Sequence, residues 1–120
     1  MDRLAATKYC REKLDEYGLK HWSIRITTNV NQRFLGLCSH NDCCIIVNAH
    51  HVDQNPDSEI KDTILHEIAH ALVGPNHGHD PTWVTKAKEI GVNNLTPCAT
   101  IGLDPAIIDA IRSEIGRAHV

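Results

Sequence analysis

His66, Glu67 and His70 are the residues whose types and spacing are best suited to chemistry, in the order His-Glu-x-x-His. Residues four apart on an α-helix lie on the same face, with Cβ atoms roughly 5–6 Å apart, so His66 and His70 can bind one metal ion. Glu67 is offset from His66 by about 100° around the helix, where its carboxylate can reach a water held by the metal without binding the metal itself. The pattern predicts a zinc site with two ligands and a general base.

A third ligand is expected from the segment that follows this helix, because a catalytic zinc generally has three protein ligands and leaves the fourth position to water. The histidines in this segment are His77 and His79. A histidine six residues after His70 would define the metzincin arrangement, but Asn76 occupies that position. The spacing therefore excludes a metzincin and leaves His77 and His79 as candidates.

The helix that must hold this motif has start and stop signals on both sides. Asn55 is a suitable N-cap, Pro56 a suitable first helical residue and Gly74 a suitable terminator. The apolar residues fall on a face separate from the histidines, so the helix can bury one side and present a metal on the other. These apolar residues are Ile60, Ile64, Ile68, Ala71 and Leu72.

The remaining periodicity predicts an α+β fold, with an N-terminal helix, a small three-stranded antiparallel sheet, the motif helix and following helices. Asp80 and Pro81 are suited to start the helix after the motif, and Gly91 to end it. The adjacent histidines His50 and His51 are expected at the surface of a linker between the sheet and the motif helix. The flanking helices are predicted over residues 2–17, 81–90 and 106–111, and the strands over residues 22–28, 34–39 and 43–48.

The length of 120 residues is enough for one domain with a substantial core, and we expect a monomer. The net charge of −3 gives no broad basic surface, so strong non-specific binding of nucleic acid by this segment alone is not indicated. The 5 cysteines contain no C-x-x-C pair, so reduced thiols are expected instead of a disulfide framework or a zinc ribbon. With no membrane-spanning run and no secretory signal in the sequence, a cytoplasmic location is expected.

The end of the sequence has an unusual composition. Residues 114–120 resemble a translated sequencing-adapter tail, and we exclude them from the fold. We therefore interpret residues 1–113 as a single domain and residues 114–120 as a non-native tail.

Several segments together resemble the SprT-like (Spartan-type) zinc metallopeptidase domain, in the compact form carried by phages or bacteria. They are residues 17–22, 35–38, 45–48, 63–72 and 79–83. In that family the third ligand lies in a segment of the form His-Gly-x-Glu-Trp or His-Gly-Pro-Glu-Phe, and alignment on Pro81 and Trp83 makes His79 its counterpart. The sequence departs from this form at Asp80, where the family prefers glycine, and at Thr82, where it prefers glutamate. The orientation of His79 is therefore expected to differ from the usual one.

The resemblance implies a zincin-like metallopeptidase fold, with Zn²⁺ bound by His66, His70 and His79 and with Glu67 activating the water that attacks a peptide bond. It also implies protein or peptide substrates, among them DNA-bound or DNA-crosslinked proteins, and action inside a bacterial cell or a phage-infected host. The residue that stabilises the developing oxyanion is left open, with His77 as one candidate.

Two other functions compete with crosslink repair. The first is a non-catalytic, zinc-stabilised module that binds DNA or a partner protein, and Glu67 argues against it because a structural zinc site normally has a fourth ligand instead of a positioned carboxylate. The second is a phage peptidase that acts on one host protein or on a cell-wall peptide.

Overall fold

The computed structural model describes residues 1–28 and 35–95. Their arrangement confirms the predicted α+β fold, and the element boundaries lie close to those expected. In chain order the elements are α1 (Arg3–Glu16), β1 (Ser23–Thr27), β2 (Gly36–Ser39), β3 (Cys44–Asn48), α2 (Ala49–Gln54), α3 (Asp57–Val73) and α4 (Pro81–Ile90).

The three strands form a mixed sheet in the order β1-β3-β2. β2 runs antiparallel to β3, with Gly36 opposite Val47, whereas β1 runs parallel to β3, with Ser23 opposite Cys44. The prediction of an antiparallel sheet is therefore wrong for the pair β1 and β3. Strands that are close in sequence often pair with each other, but here β3 lies between β1 and β2.

The burial of β3 explains its central position. All five of its residues, Cys44–Asn48, are buried. The first four are apolar, and such a continuous apolar run is typical of a strand covered on both faces, whereas an exposed sheet face would give alternating polar residues.

α3 lies against this sheet and against α1 and α4. Ile60, Ile64 and Ile68 are fully buried on its apolar face, as the sequence predicted. Burying each such side chain stabilises the fold by about 1.5–3 kcal/mol. The packing fixes the rotation of α3 about its own axis, and with it the direction of the motif residues.

Residues 49–54 form the short helix α2 and not the linker predicted from the sequence. The Asn48 side chain caps this helix by accepting a hydrogen bond from the His50 backbone N–H at 2.9 Å. His51 is only 7% exposed, so the prediction that it lies at the surface is wrong, whereas His50 is exposed.

His51 connects α2 to α3 through a chain of hydrogen bonds. The Thr63 hydroxyl donates to the Glu59 backbone carbonyl at 3.0 Å, so it accepts from His51 Nε2, which lies 2.9 Å away. The other ring nitrogen, Nδ1, then accepts from the Asn55 side-chain amide at 3.1 Å. A neutral His51 satisfies every contact in this chain.

Some predictions fall outside the described residues. They concern Phe34 at the start of the second strand, Cys98, the helix over residues 106–111 and the boundary after residue 113. The four described cysteines, Cys10, Cys38, Cys43 and Cys44, are free thiols. Within residues 1–28 and 35–95, every helix is too short or too polar to cross a lipid bilayer.

Candidate metal centre

α3 directs the motif residues into the protein. The helix begins after Pro56, one residue later than predicted, and ends at Gly74, whose φ of 95° suits glycine. Among the described residues no side chain caps its first turn, but the acidic Asp57 and Glu59 lie there and interact favourably with the positive end of the helix dipole. His66, Glu67 and His70 are all buried on this helix.

The loop of residues 74–80, called here the return loop, brings His79 back to α3. The predicted helix start is confirmed: Asp80 is the N-cap of α4, and its Oδ1 accepts from the Trp83 backbone N–H at 3.0 Å. Pro81 follows as the first residue of α4, a position whose backbone N–H has no partner within the helix, so proline loses no hydrogen bond there. His79 lies immediately before this cap and is half-buried against the motif helix.

The side chains of His66, His70 and His79 converge through their Nε2 atoms. His79 Nε2 lies 3.0 Å from His66 Nε2 and 3.1 Å from His70 Nε2. Zinc–nitrogen bonds of about 2.0–2.1 Å in a tetrahedral arrangement place ligand nitrogens about 3.3 Å apart, so these separations suit a metal ion. Among the described residues, this trio is the cluster of ligand atoms that could hold one.

Hydrogen bonding alone does not account for this arrangement. A neutral imidazole Nε2 carries either one N–H or one lone pair, so His79 Nε2 can form a good hydrogen bond with only one of the two nitrogens beside it. Three lone pairs that converge on a cation would satisfy all of them at once. The donor set therefore fits a divalent metal.

The surroundings keep these histidines neutral, as metal binding requires. The pKa of His66 is lowered to about 4 and that of His70 to about 3, mainly because both rings are buried. Burial also lowers the pKa of His79. Each ring can therefore offer a lone pair to a metal near neutral pH.

Glu67 lies beside the trio, with Oε2 3.9 Å from His66 Nε2. Its side chain is fully buried, and neither carboxylate oxygen has a hydrogen-bond partner within the described part of the chain. Burial raises the pKa of this carboxyl group to about 8. A buried carboxylate without a partner is costly in a purely structural role, and its position next to the trio suits proton transfer.

Two residues of β2 line the space around Glu67, and the sequence alone gave neither of them a role at this site. A Cβ atom at Gly36 would lie 3.2 Å from Glu67 Cγ, so glycine leaves the room that this carboxylate occupies. Cys38 follows two residues later, and burial, together with the nearby Glu67, raises the pKa of its thiol. A glycine inside a strand often marks a close approach, which is the signal that would have found Gly36.

A sequence model described as the SprT-like family matches residues 4–102 of this chain. The chain belongs to the SprT-like family. Among the described elements, the match takes in α2, α3, α4, the sheet and all of α1 except its first residue, Arg3. It also includes His66, Glu67, His70 and His79. No curated protein and no solved structure matches the sequence.

In this SprT-like domain, Trp83 forms one wall of the candidate metal centre. Its fully buried ring has its centroid 4.6 Å from that of His66, 5.2 Å from that of His70 and 4.7 Å from that of His79. The indole Nε1 donates to the His66 backbone carbonyl at 3.4 Å. The sequence analysis used Trp83 only to align the family motif, and its contact with all three imidazoles was missed.

The structure also gives a role to Asp80, at which this chain departs from the SprT-like pattern. Besides capping α4, its carboxylate accepts from His77 Nδ1, which lies 2.7 Å from Oδ2. The hydrogen bond from the Trp83 backbone N–H lowers the pKa of Asp80 most, and the hydrogen bond from His77 lowers it further, so the carboxyl group stays ionised. The structure brings His79, and not His77, to the two histidines of α3.

Proposed function

We propose that this SprT-like domain is a zinc-dependent metalloendopeptidase with a zincin-like arrangement. His66, His70 and His79 are its metal ligands, and Glu67 is its general base. The observation that carries the proposal is the convergence of three Nε2 atoms, with two separations of 3.0 and 3.1 Å, beside a buried carboxylate that has no hydrogen-bond partner among the described residues.

Held by His66, His70 and His79, a zinc ion would acidify a water and polarise a substrate carbonyl. Glu67 accepts the proton of the attacking water on a carboxylate oxygen and returns it to the nitrogen of the leaving amine. Gly36 and Thr63 pack beside Glu67 and restrict where its carboxylate can lie.

A structural zinc site is the main alternative, and the composition of the cluster argues against it. Structural zinc sites generally have four protein ligands. In the described ranges the cluster contains three ligating residues, and the nearby acid, Glu67, lies 3.9 Å from His66 Nε2 and not among them. This composition favours an ion with one position open to water.

We infer that the substrates are proteins or peptides, among them DNA-bound or DNA-crosslinked proteins. Membership of a family associated with metallopeptidase-like domains supports this substrate class. The net charge of −3 argues that any attraction to DNA is local, or is supplied by the substrate complex, because the chain as a whole has no excess of basic residues.

The first test compares the wild-type protein with Glu67→Gln, which preserves the side-chain volume but removes the base. Both should bind zinc in equal amounts by elemental analysis, whereas casein cleavage by the variant should fall by about 10²–10⁴-fold. Near-normal cleavage by Glu67→Gln would remove Glu67 from its role. A wild-type protein that binds no zinc after reconstitution would overturn the proposal as a whole.

The second test concerns the substrate. Cleavage of a free protein and of the same protein crosslinked to DNA should be compared with and without added single-stranded DNA. Preference for the crosslinked form supports a repair protease, whereas equal cleavage of both forms indicates a general peptidase. A zinc-loaded protein that binds these substrates but cleaves neither is a binding module.

A further inference from the structure

The carboxylate of Asp80 holds the chain on both sides of His79. One oxygen, Oδ1, accepts from the Trp83 backbone N–H at 3.0 Å, and the other, Oδ2, accepts from His77 Nδ1 at 2.7 Å. An ionised carboxylate can only accept, so Nδ1 of His77 must carry the proton in this contact. This contact joins the side chains of His77 and Asp80, and His79 lies in the short segment between them.

The ring of His79 packs against Trp83 of α4, but the rest of the return loop adds little packing that could fix its backbone. Pro75, Asn76 and Gly78 are exposed. A Cβ atom built at Gly78 would have no neighbour within 4 Å among the described residues, so the space on that side of the residue before His79 is open. Glycine is also the residue with the most backbone freedom, and a free backbone at Gly78 would let His79 sample many directions.

We propose that the contact between His77 and Asp80 is a latch that positions His79 for metal binding. His77 and Asp80 are thus positioning residues that act through His79. This inference rests on the proposed metal site and assigns to His77 a role different from ligand or oxyanion donor.

The exposure of the two latch residues determines what the latch can do. Their side chains are 33% and 38% exposed, and a polar contact this accessible to water contributes little to folding stability. Contacts that orient a metal ligand have a larger effect on the metal, and their loss typically lowers metal affinity by about 10–100-fold. Loss of the latch should therefore weaken zinc binding while the metal-free protein remains folded.

Asp80→Ser and His77→Ala separate the latch from the helix cap. Serine is as good an N-cap as aspartate, so Asp80→Ser keeps the start of α4 but removes the oxygen that His77 contacts. His77→Ala removes the same contact and leaves the Asp80 cap intact. His77→Asn is the conservative variant, because its side-chain amide nitrogen occupies a position similar to that of Nδ1 and can donate to Asp80.

Zinc affinity should be measured by competition with a chelator, and ligand geometry by the visible absorption spectrum of the cobalt-substituted protein. We expect Asp80→Ser and His77→Ala each to lower zinc affinity about 10–100-fold and to change the cobalt spectrum. The zinc affinity of the double variant should be no lower than that of either single variant, because the two single variants and the double variant all lack the same contact between His77 and Asp80. His77→Asn should restore most of the affinity.

Thr85→Ala is the matched control. It removes a hydrogen bond of 2.8 Å from the Thr85 hydroxyl to the Pro81 carbonyl in the first turns of α4 but does not touch Asp80. Its zinc affinity and cobalt spectrum should equal those of the wild type. Thermal unfolding of every variant in the presence of a chelator checks that the metal-free fold is intact.

The outcomes distinguish the latch from the proposed function. Unchanged zinc affinity in both Asp80→Ser and His77→Ala would overturn the latch and leave the metal site standing. A His77→Asn variant as weak as His77→Ala would show that the hydrogen bond is not the cause. Failure of the wild type itself to bind zinc would instead refute the site on which the inference rests.

Discussion

Gly36 and Glu67 approach so closely that any larger residue at position 36 would enter the space of the carboxylate. A Cβ atom there would lie 3.2 Å from Glu67 Cγ, 3.4 Å from Glu67 Oε2 and 3.1 Å from Thr63 Cγ2. The first of these contacts is with the stem of a side chain buried in the core, which cannot move away without disturbing its neighbours. β2 therefore controls the position of a residue on α3.

The first prediction is that Gly36→Ala lowers proteolysis but not zinc binding. Displacement of a catalytic group by about 1 Å can cost about 10²-fold in rate, and we expect a loss of that order in kcat. Zinc content should remain that of the wild type, because the atoms nearest to the added Cβ belong to Thr63 and Glu67 and not to the three histidines. Gly78→Ala adds the same methyl group where nothing lies within 4 Å, and it should keep its activity. Equal activity of both variants would show that Glu67 tolerates displacement.

The second prediction concerns the contribution of zinc to stability. His79→Ala should lose the increase in melting temperature that zinc gives the wild-type protein, because a ligand bound only to the folded state stabilises it. Asn76→Ala changes an exposed residue of the same loop and should keep the full increase. If the zinc-dependent increase in melting temperature persists in His79→Ala and disappears in His77→Ala, then His77, and not His79, is the third metal ligand. The measurement is thermal unfolding with and without added zinc.

The third prediction is that Trp83 supports the fold even when no metal is bound. Trp83→Ala should lower the free energy of unfolding by about 3–5 kcal/mol, because it removes a fully buried ring and leaves a cavity. Trp83→Phe keeps a ring against the imidazoles but lacks the indole N–H, so it should lower the free energy of unfolding by less than Trp83→Ala. Urea unfolding in the presence of a chelator measures both. A loss in Trp83→Ala no greater than that in Trp83→Phe would show that the site collapses around the smaller side chain.

The fourth prediction is that His51 makes the protein less stable in acid. Burial lowers the pKa of His51 below its usual value of about 6.5, against the opposing effect of Glu59, so the unfolded chain binds the proton more readily than the folded protein. The free energy of unfolding should fall as the pH drops through about 6.5 towards the lower pKa of the folded state. Protonated His51 would also lose the acceptor that Asn55 uses.

Comparison with His50 isolates this effect. His51→Gln should flatten the fall in stability between neutral and mildly acidic pH, whereas His50→Gln, its exposed neighbour on α2, should leave the fall unchanged. Both are measured by urea unfolding of metal-free protein, so that the three proposed ligand histidines contribute equally to every variant. An identical pH dependence in His51→Gln and the wild type would show that His51 does not carry the effect.

The local parts of the structure could be predicted from the sequence. The spacing of His66 and His70 and the cap formed by Asp80 depend on residues within one or two helical turns, and the structure contains the two helices concerned, α3 and α4. The approach of His79 to α3 needed the family motif, because spacing alone had left His77 equally possible.

The missed features depend on contacts between distant segments. β3 lies between two strands that precede it in the sequence, and it pairs in parallel with β1. No local sequence pattern predicts this order. His50 and His51 differ by about 100° around α2, so one is exposed and the other buried, and an extended linker gave no reason to separate them. The closeness of Gly36 and Glu67 likewise appears only once the sheet packs on α3.

The contact of Trp83 with the histidine rings gives the protein a built-in optical probe. The sequence contains 2 tryptophans, and Trp22 packs instead against His21 and His40. In a Trp22→Phe background, the indole emission comes from Trp83 alone and is sensitive to the charge of the three rings around it. Occupancy of the centre can then be followed by fluorescence in real time, without a dye and without a substrate.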